Sequence, residues 1–354
     1  MDSVTQLVLG ASIQGAMLGR WQGRKALVYG AALATLPDMD VLIDYGDAVA
    51  DMTYHRGFSH SLFVLAALAA LLTWLIRKRW PDAGYSSRRL FLTLALVLCT
   101  HPLLDSFTTY GTQLFWPLTT PPVAISSIFI IDPLYTLPLL LATLVALVIG
   151  LGRSGRRWQY AALALSSLYL GSTLVGKTMA EHRLQAALEA QNLQPDSVFI
   201  TPTPFNTLLW RVMAVDGDIY YEGLTGWLDH EPMSLTALPR QSEAAAKALA
   251  NSPQNERLRW FTGDRLRYDL IDGQWVATDL RLGMSGYHPF RFALATAGED
   301  GQTRLIEYTE QWPARRPDAS VLRLLMARAL DAATPLSLAE LAQPLGEPAP
   351  HQRQ

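Results

Sequence analysis

A single cysteine, Cys99, leaves no room for a disulfide framework or a thiolate metal site, and it leaves the redox compartment open. Charge is scarce as well: 17% of the 354 residues are charged while half are hydrophobic, which is too apolar for an ordinary pair of soluble domains. With 29 basic against 31 acidic residues there is no positive field to replace the counterions of a nucleic acid, so a nucleic-acid partner is excluded. The opening Met1-Asp2-Ser3-Val4-Thr5-Gln6 lacks the basic n-region of a secretory signal, and the segment is expected to be retained. No internal repeat is visible.

What the chain has is apolar runs. Residues 5–19 carry Ala11, Gly15 and Gly19 four apart, a helical face that another backbone can approach closely. Residues 26–36 form a second run. Both fall short of the roughly 20 residues of a full span and are read as short spans. Further runs cover 62–76, 90–100, 128–151 and 158–175, the last with Trp158 and Tyr160 at an interfacial position, while 106–127 reads as an ordered loop. The expected fold is mainly α: a polytopic membrane bundle of about six helices over residues 1–177, a connecting helix at 178–195, a soluble α+β domain at 196–340 and a disordered tail at 341–354. Loops 20–25, 77–89 and 153–157 hold three, five and three basic residues, whereas the opposite loops hold only Arg56. The basic loops are therefore cytoplasmic, and the other loops and the C-terminal domain lie outside.

In that domain strands are predicted at 208–215 and 219–223 around Asp216-Gly217-Asp218, and at 266–271 and 274–280 around Asp272-Gly273. Others are expected at 291–295 and 304–311, with helices at 241–250 and 320–332. Tyr220, Tyr221 and Trp227 read as core, and His182, His230, His288 and His351 as surface or capping residues.

Chemistry concentrates on the outer side. Asp38 and Asp40 lie in a Pro-Asp-Met-Asp turn, which turn formation alone would explain. His55 and His60 flank Gly57, whose freedom lets both point inward, with Ser59 as the expected N-cap of the next helix. His101 and Asp105 are four apart and share a helix face, and ionisable groups at membrane depth signal function. Asp132-Pro133 is explained as an N-cap with Pro at N1, and Gln6 is given a hydrogen-bonding role behind the ligands.

The strings Leu36-Pro-Asp38-x-Asp40, Tyr54-His-Arg-Gly-Phe-Ser-His60-Ser and Thr100-His-Pro-Leu-Leu-Asp105 resemble the bacterial inner-membrane metal-dependent hydrolase family of YdjM type (DUF457) over about residues 1–175. The chain looks like a long form with an extra C-terminal domain. Members carry a His near the N-terminus where this chain has Gln6, so no N-terminal ligand is carried over. The resemblance implies a metal site.

The expectation is a membrane-bound hydrolase in which Asp38, Asp40, His55, His60, His101 and Asp105 bind one or two divalent ions, Zn²⁺ first and Mn²⁺ or Fe²⁺ next. Arg56 and Asp105 are the candidate catalytic residues, and an activated water attacks an ester or phosphoester, lipid-like from the depth of the site. The expected partners are the bilayer and an amphiphilic or phosphate-containing substrate. The alternative is a non-catalytic scaffold with a structural metal or hydrogen-bond cluster and a partner-binding outer domain. Transport ranks last, because residues 62–76 and 134–151 carry no acidic or basic side chain.

Overall fold

The computed structural model describes residues 1–298 and 302–341. The chain divides into two compact units, residues 1–43 with 55–174, and residues 44–54 with 175–354.

The first unit is helical. Asp2 caps α1 (Ser3–Gln22) by accepting the Val4 and Thr5 N–H groups, and Gly23 at φ 59° ends it, so that α2 (Lys25–Ala34) runs back alongside. A 3₁₀ turn at Pro37–Leu42 follows, then α3 (Ala48–Tyr54), which belongs to the second unit. A second 3₁₀ turn at Phe58–His60 leads into α4 (Leu62–Arg79), and Ser86 caps α5 (Ser87–Ser106). The cap of α4 is Ser61, not the expected Ser59, because the Ser59 hydroxyl is already committed to Asp40 at 2.6 Å. Asp132 caps α6 (Pro133–Ile149), accepting from Leu134 and Tyr135, as its sequence position suggests. The last apolar run opens α7 (Arg153–Ala190), a single 38-residue helix, so the expected connecting helix is no separate element.

Val8, Leu9 and Ile13 of α1 pack with Val97 and Leu104 of α5 and Leu139 and Ala142 of α6. Ala11 joins Ala26, Leu27, Ala146 and Leu151 in a second cluster, on the small-residue face read from the sequence. Phe63, Trp74, Leu141, Val148 and Leu168 face outward and exposed, as an apolar surrounding allows. Each of the six apolar runs lies mainly on a helix, the run at 128–151 entering α6 only at Pro133. Among the described residues one helix, Ser87–Ser106, is long and apolar enough to cross a membrane unaided, while Lys25–Ala34 and Pro133–Ile149 are shorter apolar helices.

The second unit holds two antiparallel four-stranded meanders. The first is β1 (Ser197–Pro202), β2 (Leu209–Asp216), β3 (Ile219–Gly226) and β4 (Thr236–Pro239). After α8 (Ser242–Ala248) and α9 (Pro253–Thr262) comes the second: β5 (Leu266–Ile271), β6 (Gln274–Asp279), β7 (Arg291–Ala297) and β8 (Thr303–Leu305). Helices α10 (Ala319–Leu330) and α11 (Leu338–Leu341) close the described chain, and the expected tail beyond Leu341 lies outside the described residues. Asp272 and Gly273 both have positive φ, as the two-residue turn between β5 and β6 demands. Ala180, Leu184 and Leu188 of α7 cover Ile200, Trp210 and Val212 of the first sheet. The α3 segment is tied in by the Ala48 N–H donating to Thr309 O at 2.9 Å. Arg257 of α9 donates to Thr53 Oγ1 and O, both at 3.0 Å.

Three sequence expectations fail here. Trp227 is 44% exposed, its indole N–H donating to Thr207 O, so it is not core; Tyr220 is. The strand expected at 304–311 is cut to three residues: Ile306 N–H still donates to Leu294 O, but beyond it the chain meets β7 again only at an isolated bridge between Gln311 and Phe292. His288 is not a surface residue: it is buried and bonds Leu282 O through Nδ1 at 2.9 Å, because loop 280–290 folds inward beside Arg211 and Glu222. His182 and His230 are exposed as expected, and His351 lies outside the described residues.

Burial, with Arg211 nearby, pushes the His288 pKa down to about 4 from 6.5. The unfolded chain then takes up a proton that the folded chain refuses, so this residue's stability contribution is whole above pH 6.5 and is lost as pH falls toward 4. Thermal melts are expected to show a Tm loss on the order of 5 °C from this source between pH 7 and pH 5. His288→Gln should flatten that slope; an unchanged slope would contradict the assignment.

Candidate metal centre

Two turns and one helix end of the first unit meet at one buried point. The Pro37–Leu42 turn brings Asp38 and Asp40, the Phe58–His60 turn brings His60, and the last turn of α5 brings His101 and Asp105 on one face. Loop 107–128 closes over them: Gln113 N–H donates to Arg56 O and Leu62 N–H to Leu114 O, both at 3.0 Å.

His60, His101 and Asp105 are essentially inaccessible, while the Asp38 side chain is 30% exposed. His60 Nε2 lies 3.4 Å from Asp38 Oδ1 and 3.3 Å from Asp105 Oδ2; His101 Nε2 lies 3.2 Å and 3.5 Å from the same two oxygens. One atom from each of the four residues falls within 4.8 Å of all the others. For metal–ligand bonds of 2.0–2.2 Å, the edges of a coordination tetrahedron are roughly 3.3–3.6 Å.

The tautomers suit that use. His101 Nδ1 donates to Ala34 O at 2.6 Å, leaving Nε2 as the lone-pair nitrogen. His60 Nδ1 sits 2.9 Å from Ser59 Oγ, and Ser59 in turn donates to Asp40 Oδ2, so a carboxylate–hydroxyl–imidazole chain fixes the ring the same way. Asp105 Oδ1 is taken by Gln6 Nε2 at 3.1 Å and by the Met1 amino group, which directs Oδ2 to the centre. His60 Nε2 and Asp105 Oδ2 are buried with no hydrogen-bond partner among the described residues. Two buried electron-pair donors, an imidazole nitrogen and a carboxylate oxygen, each without a hydrogen bond and aimed at one point, fit a divalent ion.

The other sequence candidates stand one step out. Asp40 accepts from the Arg56 N–H at 3.0 Å as well as from Ser59, and pairs with His55 Nδ1 at 3.0 Å; His55 is 24% exposed. Burial raises the Asp40 pKa, but the bonds from His55 and Ser59 outweigh it and hold the carboxyl below its ordinary value. At Asp38 burial is likewise overcome by His101 and His60, and the carboxyl sits well below the usual range. Arg56, at φ 60°, is buried with Nε 3.4 Å from Asp105 Oδ2, Nη1 donating to Thr108 Oγ1, and its guanidinium 5.0 Å from the Tyr110 ring. Asp132 lies apart, held by its cap bonds and by Tyr169. Ser59 as relay, Ala34 O as anchor and Tyr110 as platform were not singled out in the sequence; a serine directly before a histidine was the available signal for the first.

The model of a family described as YdjM inner membrane protein matches residues 1–180, half of the chain. Over 313 residues the chain is 25% identical to "Uncharacterized protein YfhP" of Bacillus subtilis (strain 168), covering 85% of this chain and 92% of that protein. It is 45% identical over 93 residues to "Inner membrane protein YbcI" of Escherichia coli (strain K12), covering 26% of this chain and 52% of that one. No solved structure matches.

Proposed function

This chain belongs to the YdjM inner membrane protein family, and from that premise we propose a metal-dependent hydrolase acting on an amphiphilic ester or phosphoester at the extracytoplasmic face of the bacterial inner membrane. One observation carries the reading: His60 Nε2 and Asp105 Oδ2, buried and without a hydrogen bond among the described residues, meet His101 Nε2 and Asp38 Oδ1 at tetrahedral spacing. The mixed imidazole and carboxylate set suits Zn²⁺ first, then Mn²⁺ or Fe²⁺. The basic loops face the cytoplasm in this reading, with six helices in the membrane and the C-terminal unit outside.

When bound, the ion supplies Lewis acidity toward an ester or phosphoryl oxygen and lowers the pKa of a water. The chain's own residues do the rest. Asp38, the one partly exposed member of the four, marks the side from which substrate approaches. Arg56 is held on Tyr110 and against Asp105, where its charge orients an anionic substrate oxygen. Asp40 fixes the His55 tautomer, so that Nε2 is the nitrogen that takes or gives a proton.

A second reading has its own observation: four protein ligands fill a tetrahedral shell, which is the mark of a structural site. The ion then holds the helix ends together, and the outer domain binds a partner. A panel of chromogenic esters and phosphodiesters separates the two. Hydrolysis predicts turnover that is lost on chelation and restored by Zn²⁺ or Mn²⁺. It also predicts that His55→Ala cuts the rate by about 10²–10⁴-fold with the metal still bound. Stoichiometric metal, no turnover and a chelator effect confined to Tm would leave the structural reading standing.

A further inference from the structure

Away from the metal centre, the first unit holds a cavity of about 1110 Å³ between the C-terminal ends of α1 and α4 and the N-terminal ends of α2 and α5. Its inner wall is apolar, from Leu33 of α2, Leu72 of α4 and Leu94 of α5. Its mouth is cationic: Lys25 and Arg79 line it, both exposed, and among the described residues neither has a carboxylate within 4.0 Å. Asp82 is the one acidic residue at the rim, so the mouth keeps a positive surplus.

A polar strip runs down one wall. Gln14 Nε2 donates to Gln22 Oε1 at 3.0 Å, and Gln22 Nε2 donates to Tyr85 OH at 3.3 Å. Gln14 is 3% exposed, and its Oε1 is buried without a donor. A buried amide oxygen left unpaired beside an apolar cavity is costly unless an occupant supplies the hydrogen.

We propose that this cavity is a binding site for an anionic phospholipid with a hydroxyl-bearing headgroup. The acyl chain lies along Leu33, Leu72 and Leu94; the phosphate meets Lys25 and Arg79; a headgroup hydroxyl donates to Gln14. Two cations at one mouth select against a zwitterionic lipid of the same tails, since each attracts anionic headgroups independently. The aromatic rim of Trp21, Trp80 and Tyr85 suits the level of headgroups. The site needs the membrane location of the family and nothing of the hydrolase reading.

The test is native mass spectrometry of the full chain in mild detergent, titrated with phosphatidylglycerol and phosphatidylcholine of identical tails. Wild type should retain phosphatidylglycerol at about tenfold lower concentration. Lys25→Ala with Arg79→Ala should bring the two lipids level, and Leu94→Trp, which narrows the cavity, should weaken both. Equal retention by wild type, or a preference unchanged in the double variant, overturns the proposal. So does displacement of the lipid by millimolar inorganic phosphate, which would make the mouth a free-anion site. Metal content measured on the same samples keeps a failure here distinct from a failure at the metal centre.

Discussion

His60→Ala is expected to purify without metal under conditions where the wild-type protein holds it stoichiometrically. The ring supplies one of four converging atoms, and its other nitrogen is already spent on Ser59. Its removal leaves Asp38 and Asp105 facing each other at a buried point with one imidazole fewer, so the remaining three ligands lose a strong donor and need a water to complete the shell. The affinity loss should exceed the roughly 10–100-fold that follows loss of an outer partner. Ser59→Ala supplies that lesser case, because it cuts the Asp40 to His60 relay while leaving every ligand in place, and should fall within about 10–100-fold. His182→Ala, exposed on α7, should change nothing. Elemental analysis after gel filtration, followed by competition with a calibrated chelator, reads all three. If His60→Ala and Asp105→Ala both keep one ion per chain, the cluster is a hydrogen-bonded ion-pair knot and the metal reading goes.

The helical half was legible because its signals are local. Apolar run length, basic loop counts and the four-residue spacing of His101 and Asp105 each depend on neighbours in sequence, and they place these residues at one end of their helices. The division of labour among six candidates was not legible. Asp38 and Asp40 are chemically alike and two apart, but the 3₁₀ turn that carries them sends Asp38 to the imidazoles and Asp40 to His55, Arg56 and Ser59. That choice is made by the packing of loops far apart in sequence. In the C-terminal unit the turns Gly217-Asp218 and Asp272-Gly273 announced two hairpins. Helix α9 went unseen although Ser252 as cap, Pro253 at its first position and Gly263 after its end spell it out. The burial of His288 had no local sign, because it is set by the partners Arg211 and Glu222 on other elements.

The close contact between α1 and α2 has consequences for the site. A Cβ on Gly30 would lie 2.2 Å from Gly10 O and 2.8 Å from Gln14 Cβ, so α1 and α2 touch backbone to backbone there. The small-residue face read from the sequence, Ala11, Gly15 and Gly19, meets Leu27 and Leu151 instead; the tightest point is one residue round the helix, at Gly10. Gly30→Ala must push the helices apart, at an overpacking cost of about 1–3 kcal/mol. The displacement travels one turn along α2 to Ala34, whose carbonyl fixes His101, and on into the turn that carries Asp38. Two of the four ligands lose their placement together, so a lowered Tm and a metal affinity reduced by about tenfold or more are expected in the same variant. Gly171→Ala on α7, where a Cβ meets nothing within 4 Å, should instead be neutral or gain up to about 1 kcal/mol from helix propensity, with metal affinity unmoved. A Gly30→Ala protein that melts and binds metal like wild type would show that α2 does not position the site. If Tm falls while metal affinity holds, the backbone contact supports the fold alone, and His101 would then have to owe its orientation to the last turn of α5 rather than to Ala34.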